Sequence, residues 1–134
     1  MGNLIRDGYT MRGYIAAVPG LNDAIEFEFR PMLSRDVYSL DGKLQKATLE
    51  QRHDLLTAML AKQLQSWSEM QDTGEPWPIN TTTVACLPFG LFLRMTDIVR
   101  LIAPSDVVPE TTDERHDIER LLEGQSPEAS MRGN

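Results

Sequence analysis

Apolar and charged residues alternate most regularly in the run Ile25-Glu26-Phe27-Glu28-Phe29-Arg30. A period of two places Ile25, Phe27 and Phe29 on one face of a strand and leaves Glu26, Glu28 and Arg30 in water. Pro31 has no N–H to donate and ends the pairing. Upstream, Met11-Arg12-Gly13-Tyr14-Ile15-Ala16-Ala17-Val18 predicts a partner strand over 11–18, with Gly13 as its weak point because it has no side chain to pack. Between the two, Pro19-Gly20-Leu21-Asn22-Asp23 is dense in turn formers: Pro presets φ, and Gly or Asn tolerates φ > 0. These segments predict a β-hairpin with one wet face.

Helical spacing takes over after Pro31. Ser34 suits an N-cap and opens a helix through Asp36, Val37, Tyr38 and Leu40, with Asp41-Gly42 as an interruption or kink. Thr48 with Gln51 three residues on makes a capping-box pattern. Beyond it Leu49, Arg52, Leu56, Met59, Leu60, Gln63, Leu64 and Trp67 trace a mostly apolar stripe, predicting one long helix over 44–67. Residues 70–80 read as a loop, because Pro76 and Pro78 flank Trp77 and Gly74 precedes them. Asn80 or Thr81 caps a short helix over 82–86, and Pro88 suits the first turn of the next. In that helix Leu91, Met95, Ile98, Val99 and Ile102 share a face, and Pro104 stops it. The expected fold is α+β: an N-terminal hairpin packed on two or three helices.

Length and charge refine this outline. A chain of 134 residues suits one domain. The net charge is −7, and residues 104–134 carry eight acids against three arginines, so they supply −5 of it. The expected organisation is a nearly neutral body over 1–103 followed by an acidic, flexible tail over 104–134. A short helix at 112–123 is expected to fray there, because Ile118, Leu121 and Leu122 are its only apolar anchors. An acidic balance repels phosphate backbones and anionic lipid, which argues against nucleic-acid and membrane-surface partners. No stretch approaches the ~18 apolar residues of a membrane span. The start, Met1-Gly2-Asn3-Leu4-Ile5-Arg6-Asp7, lacks a basic-then-apolar signal pattern, and Arg6 replaces the Ser or Thr of a myristoylation signal. The expected location is a cytoplasm.

Candidate chemistry is sparse. Cys86 is the single cysteine; it is expected as a buried small hydrophobe in Val84-Ala85-Cys86-Leu87 and excludes an internal disulfide. His53 and His116 have no second ligand at metal-binding spacing, and adjacency on a helix points His53 and Asp54 in different directions. Asp72-Thr73-Gly74 matches the aspartic-protease triplet but lies in a polar loop rather than after an apolar strand. No Gly-rich phosphate loop or nucleophile elbow occurs. A small hydrolase using Asp72 or His53 is therefore the lesser expectation, and a non-enzyme without cofactor or metal the greater. Aromatic and Met residues are enriched at binding hot spots, which makes Trp67, Trp77, Pro78, Phe89, Phe92 and Met95 the candidate partner contacts.

The order of elements resembles small tail-assembly chaperones of long-tailed bacteriophages and prophages. The resemblance is carried by Ile25-Glu26-Phe27-Glu28-Phe29-Arg30-Pro31-Met32, by the helix ending Leu60-Ala61-Lys62-Gln63-Leu64-Gln65-Ser66-Trp67, by Asp72-Thr73-Gly74-Glu75-Pro76-Trp77-Pro78-Ile79, and by Leu87-Pro88. It covers residues 9–103 and says nothing of the tail. It implies a non-catalytic role in the bacterial host cell: binding the tape-measure protein and keeping it soluble until tail-tube subunits polymerise around it. The alternative is a virion structural component, such as a neck, connector or tail-tube-associated protein. Self-association is left open.

Overall fold

A computed structural model describes residues 3–108; the tail from residue 109, with the helix expected at 112–123, lies outside the described residues. Strands β1 (Met11–Ile15) and β2 (Ile25–Phe29) form the expected antiparallel hairpin, with Gly13 opposite Phe27 and Ile15 opposite Ile25. Ile25, Phe27 and Phe29 are buried and Glu26 is exposed, as the alternation requires. The first strand is shorter than expected. Its chain leaves the ladder after Ile15 and turns tightly at Pro19-Gly20, where Gly20 has φ +80° and Val18 N–H donates to the Asn22 carbonyl at 2.9 Å.

Gly13 is not a weak point but a seat. A Cβ built there would overlap the ring of Phe27, which is itself buried in the core. Gly13→Val is expected to cost about 1–3 kcal/mol by overpacking. Thermal unfolding checks this: at this size each lost kcal/mol should lower Tm by about 3–5 °C.

Helix α1 (Ser34–Lys46) runs through Gly42 without a break, and Leu33 rather than Ser34 occupies its N-cap position. The chain breaks instead at Ala47-Thr48. Helix α2 (Leu49–Gln63) follows, and its capping box forms as expected: the Gln51 N–H donates to Thr48 Oγ1 at 3.2 Å and the Thr48 N–H donates to Gln51 Oε1 at 3.0 Å. Leu49, expected on the apolar stripe, starts this helix and is exposed.

The main departure lies at 64–67, expected to end the long helix. These residues form strand β3 (Leu64–Trp67), which pairs with β2 and makes a three-stranded antiparallel sheet of order β1-β2-β3. Register runs Phe27 to Trp67, Glu28 to Ser66 and Phe29 to Leu64, so Gln65 is an extra residue in a bulge. The bulge turns Leu64 and Trp67 toward the same side although they are three apart. In sequence that spacing is indistinguishable from one helical turn.

Short helix α3 (Thr81–Val84) is capped by Asn80, whose Oδ1 accepts from the Thr83 N–H at 2.9 Å. Helix α4 (Phe89–Val99) starts after Pro88 and buries Leu91, Phe92, Met95, Ile98 and Val99. It ends three residues earlier than expected, because Leu101 adopts the left-handed conformation (φ 60°). The Ile102 N–H then donates to the Asp97 carbonyl at 2.8 Å and the Leu101 N–H to the Ile98 carbonyl at 3.0 Å, a Schellman closure. Ile102, expected on the buried face, is exposed as a result.

One core joins these elements. Phe27 and Phe29 of the sheet meet Leu60 of α2, Val84 of α3 and Phe92 and Met95 of α4. Residues past the end of α4 return to the sheet. Ser105 Oγ accepts from the Tyr14 N–H at 2.7 Å, Asp106 Oδ2 accepts from the Ala16 N–H at 2.9 Å, and Asp106 Oδ1 pairs with Arg94 at 3.1 Å. This strap occupies the outer edge of β1, which would otherwise be open to strand addition. The hydrogen-bonded body therefore continues beyond the expected boundary at 103, through Asp106.

Candidate protein-binding surface

Burial divides the six expected contact residues. Trp67, Phe92 and Met95 are core residues, with Phe92 2% and Met95 0% exposed. They pack in the core: Trp67 is drawn in with the sheet, and the other two lie on the inner face of α4. Trp77 is 48% and Phe89 68% exposed, and Pro78 is also exposed. Phe89 stands on the first turn of α4, one residue after Pro88.

The loop that carries Trp77 is a built structure. The Trp77 N–H donates to the Glu69 carbonyl at 2.9 Å, and the Trp77 carbonyl accepts from the Trp67 indole N–H at 2.8 Å. A buried indole N–H needs such a partner, so the core tryptophan holds the loop bearing the exposed one. Gln71 closes the loop, its N–H donating to the Glu75 carbonyl at 2.8 Å. Asp72 and Thr73 are exposed on this loop, and Gly74 turns it at φ +89°.

Beside the loop runs a groove with two lobes that meet at Glu69 and Pro88. The wider lobe, about 620 Å³, lies between the β1–β2 loop and the start of α4 and is lined by Val18, Leu21, Asp23 and Leu91. The narrower, about 200 Å³, is lined by Trp67, Trp77, Cys86 and Leu87. Cys86 is exposed, against the expectation of a buried thiol, because α3 ends at Val84 and points that residue inward instead. A further groove, about 780 Å³, runs past Leu4, Tyr38 and Leu101. Of the two arginines that line it, Arg35 and Arg100, Arg100 pairs with Asp97 at 3.0 Å and with Asp41 at 3.6 Å.

Glu69 is the unusual charge in the two-lobed groove. Burial pushes its carboxyl above the ordinary value of 4.5, and the negative Asp23, which lines the same lobe, raises it further. No ion pair or side-chain hydrogen bond reaches the Glu69 carboxylate among the described residues. A raised carboxyl pKa favours the protonated form in the folded state, so its contribution to stability is present below 4.5 and lost as pH rises through the folded value. Glu69→Gln should therefore raise Tm at pH 7, and the gain should vanish as the pH falls below 4.5. Melting curves of both proteins across that range check the sign.

The chemistry of the remaining titratable groups is modest. His53 Nδ1 stands 4.0 Å from Asp54 Oδ1, and its ring lies 5.0 Å from the ring of Phe92. Among the described residues no group of three or more His, Cys, Asp or Glu is placed to hold a metal ion, and no helix is long and apolar enough to cross a membrane.

Sequence reasoning missed the loop side of the groove. Val18 reads as the end of a strand and Leu21 and Asp23 as turn residues, yet Leu21 is a large apolar side chain at the tip of an otherwise polar turn. That was the available signal. Glu69 carries none, because its setting depends on the approach of a loop 46 positions away in the chain.

The fold and groove define a small antiparallel α+β protein with a largely apolar surface cleft lined by two acids. Comparison with protein-family models, with curated proteins and with solved structures finds no match to this chain.

Proposed function

We propose that this chain is a non-catalytic, protein-binding protein that acts as a tail-assembly chaperone of the long-tailed phage type. It holds the tape-measure protein soluble in the bacterial cytoplasm until the tail tube forms around it. The observation that carries this reading is a pair of exposed aromatics, Trp77, which lines the groove, and Phe89, which follows the groove residue Pro88 on the first turn of α4. Large aromatics exposed on rigid supports around a concave apolar surface are what a docking site for a helical client requires. The order of elements from Ile25 to Leu87-Pro88, which resembles that family, supplies the identity of the client.

A chaperone leaves its client before the particle is complete, whereas a neck, connector or tube-associated protein stays. Mass spectrometry of purified particles tests this: the chain should be missing from them. Its presence at a fixed ratio to tube subunits would assign it to the virion instead.

A further inference from the structure

We propose that the groove between the β1–β2 loop and the start of α4 seats a client segment bearing one lysine or arginine flanked by apolar side chains. The cation would lie between Asp23 and Glu69, with its apolar neighbours against Leu21 on one side and Trp77 on the other. This rests on the protein-binding reading and specifies the partner's chemistry.

Four features of the groove lead to it. Its walls are apolar: Val18, Leu21 and Leu91 in one lobe, Trp67, Trp77 and Leu87 in the other. Its charged lining residues are both acids, Asp23 and Glu69, and no Lys or Arg lines either lobe. Asn22 does not relieve them, because its amide donates to the Ala16 carbonyl at 3.3 Å and to the Asp23 carbonyl at 2.9 Å. Finally, Glu69 stands where the lobes meet, half-buried and without an ion-pair partner among the described residues.

An apolar client face alone would bury Glu69 deeper without compensation, which is strongly unfavourable for a charged group. A lysine or arginine answers both demands. Its methylene stem covers apolar wall while its head meets the carboxylates, and the Trp77 face offers a cation–π contact beside it. A metal ion fits less well, since two carboxylates without a third protein ligand on apolar walls leave most coordination positions to water.

The test uses the full chain and a random dodecapeptide display library, so its outcome does not depend on the tape-measure protein. Selection on the wild type, with Glu69→Gln as counter-target, should enrich peptides with a single Lys or Arg between apolar residues. For the best peptide, Lys→Gln should weaken binding to the wild type by about tenfold or more, as for a close charge pair, and should change binding to Glu69→Gln far less. Asp23→Asn should give a smaller effect of the same sign. Enrichment without cations, equal capture by Glu69→Gln, or no enrichment would each overturn the proposal. So would a wild-type dimer in sedimentation that Glu69→Lys dissociates, because a second copy would then be the occupant. Failure of tape-measure solubilisation with peptide selectivity intact would overturn the chaperone reading and leave this one standing.

Discussion

Phe92→Ala is expected to remove about 3–5 kcal/mol of folding stability, the range for deleting a large buried aromatic ring. Phe89→Ala, three residues earlier on the same helix, should change it by no more than about 0.5 kcal/mol. Both residues look alike in the sequence, as part of an aromatic run opening a helix. In the fold Phe92 is 2% exposed against the ring of His53, while Phe89 is 68% exposed on the first turn. A domain of this kind has a total stability of about 5–15 kcal/mol, so the Phe92 variant loses a large fraction of it. Urea titrations of the two variants separate them directly. Equal midpoints would mean that α4 presents a different face to the core.

The second large effect is on binding. Trp77→Ala combined with Phe89→Ala should weaken client binding by at least about 2 kcal/mol, or roughly thirtyfold, if these are the hot-spot residues of the surface. The substitutions leave the fold's internal bonds in place. The carbonyl that accepts from the Trp67 indole belongs to the Trp77 backbone and survives truncation. Neither side chain belongs to the buried core. A double variant that melts like the wild type and loses the client places the affinity on this surface. Unchanged affinity would move the site elsewhere, with the groove beside Tyr38 and Leu101 as the next candidate.

These two expectations show where the chain is legible and where it is not. Local chemistry reads well: the alternation over Ile25–Phe29, the Thr48–Gln51 capping box and the Asn80 cap each form where their residue types require. Each is settled by neighbours within a few positions, so tertiary context has little to override. The strand at Leu64–Trp67 was hidden for the opposite reason. A bulge, imposed by pairing with β2, faces two residues three apart to the same side and so imitates a helix. The end of α4 was hidden too, because a left-handed Leu101 is a costly conformation that no local propensity announces.

The candidate surface followed the same division. Composition picked out aromatic and Met residues, and half of those named were core, since the property that makes them good anchors also makes them good packing. What separates Trp77 from Trp67 is topology: one belongs to a paired strand, the other to a loop hung from that strand's indole. That Asp23 and Glu69 line one groove is likewise visible only in three dimensions.

The central claim is that this chain binds and solubilises a long helical client through the Trp77–Phe89 surface. Co-expression with a phage tape-measure protein, the proposed client, tests that claim most directly, with the soluble fraction of the client as the readout. The wild-type chain should carry the client into the soluble fraction and co-elute with it in size-exclusion chromatography, and the Trp77→Ala, Phe89→Ala double variant should leave it insoluble. A client equally insoluble with and without the wild-type chain, and no co-elution, would contradict the account.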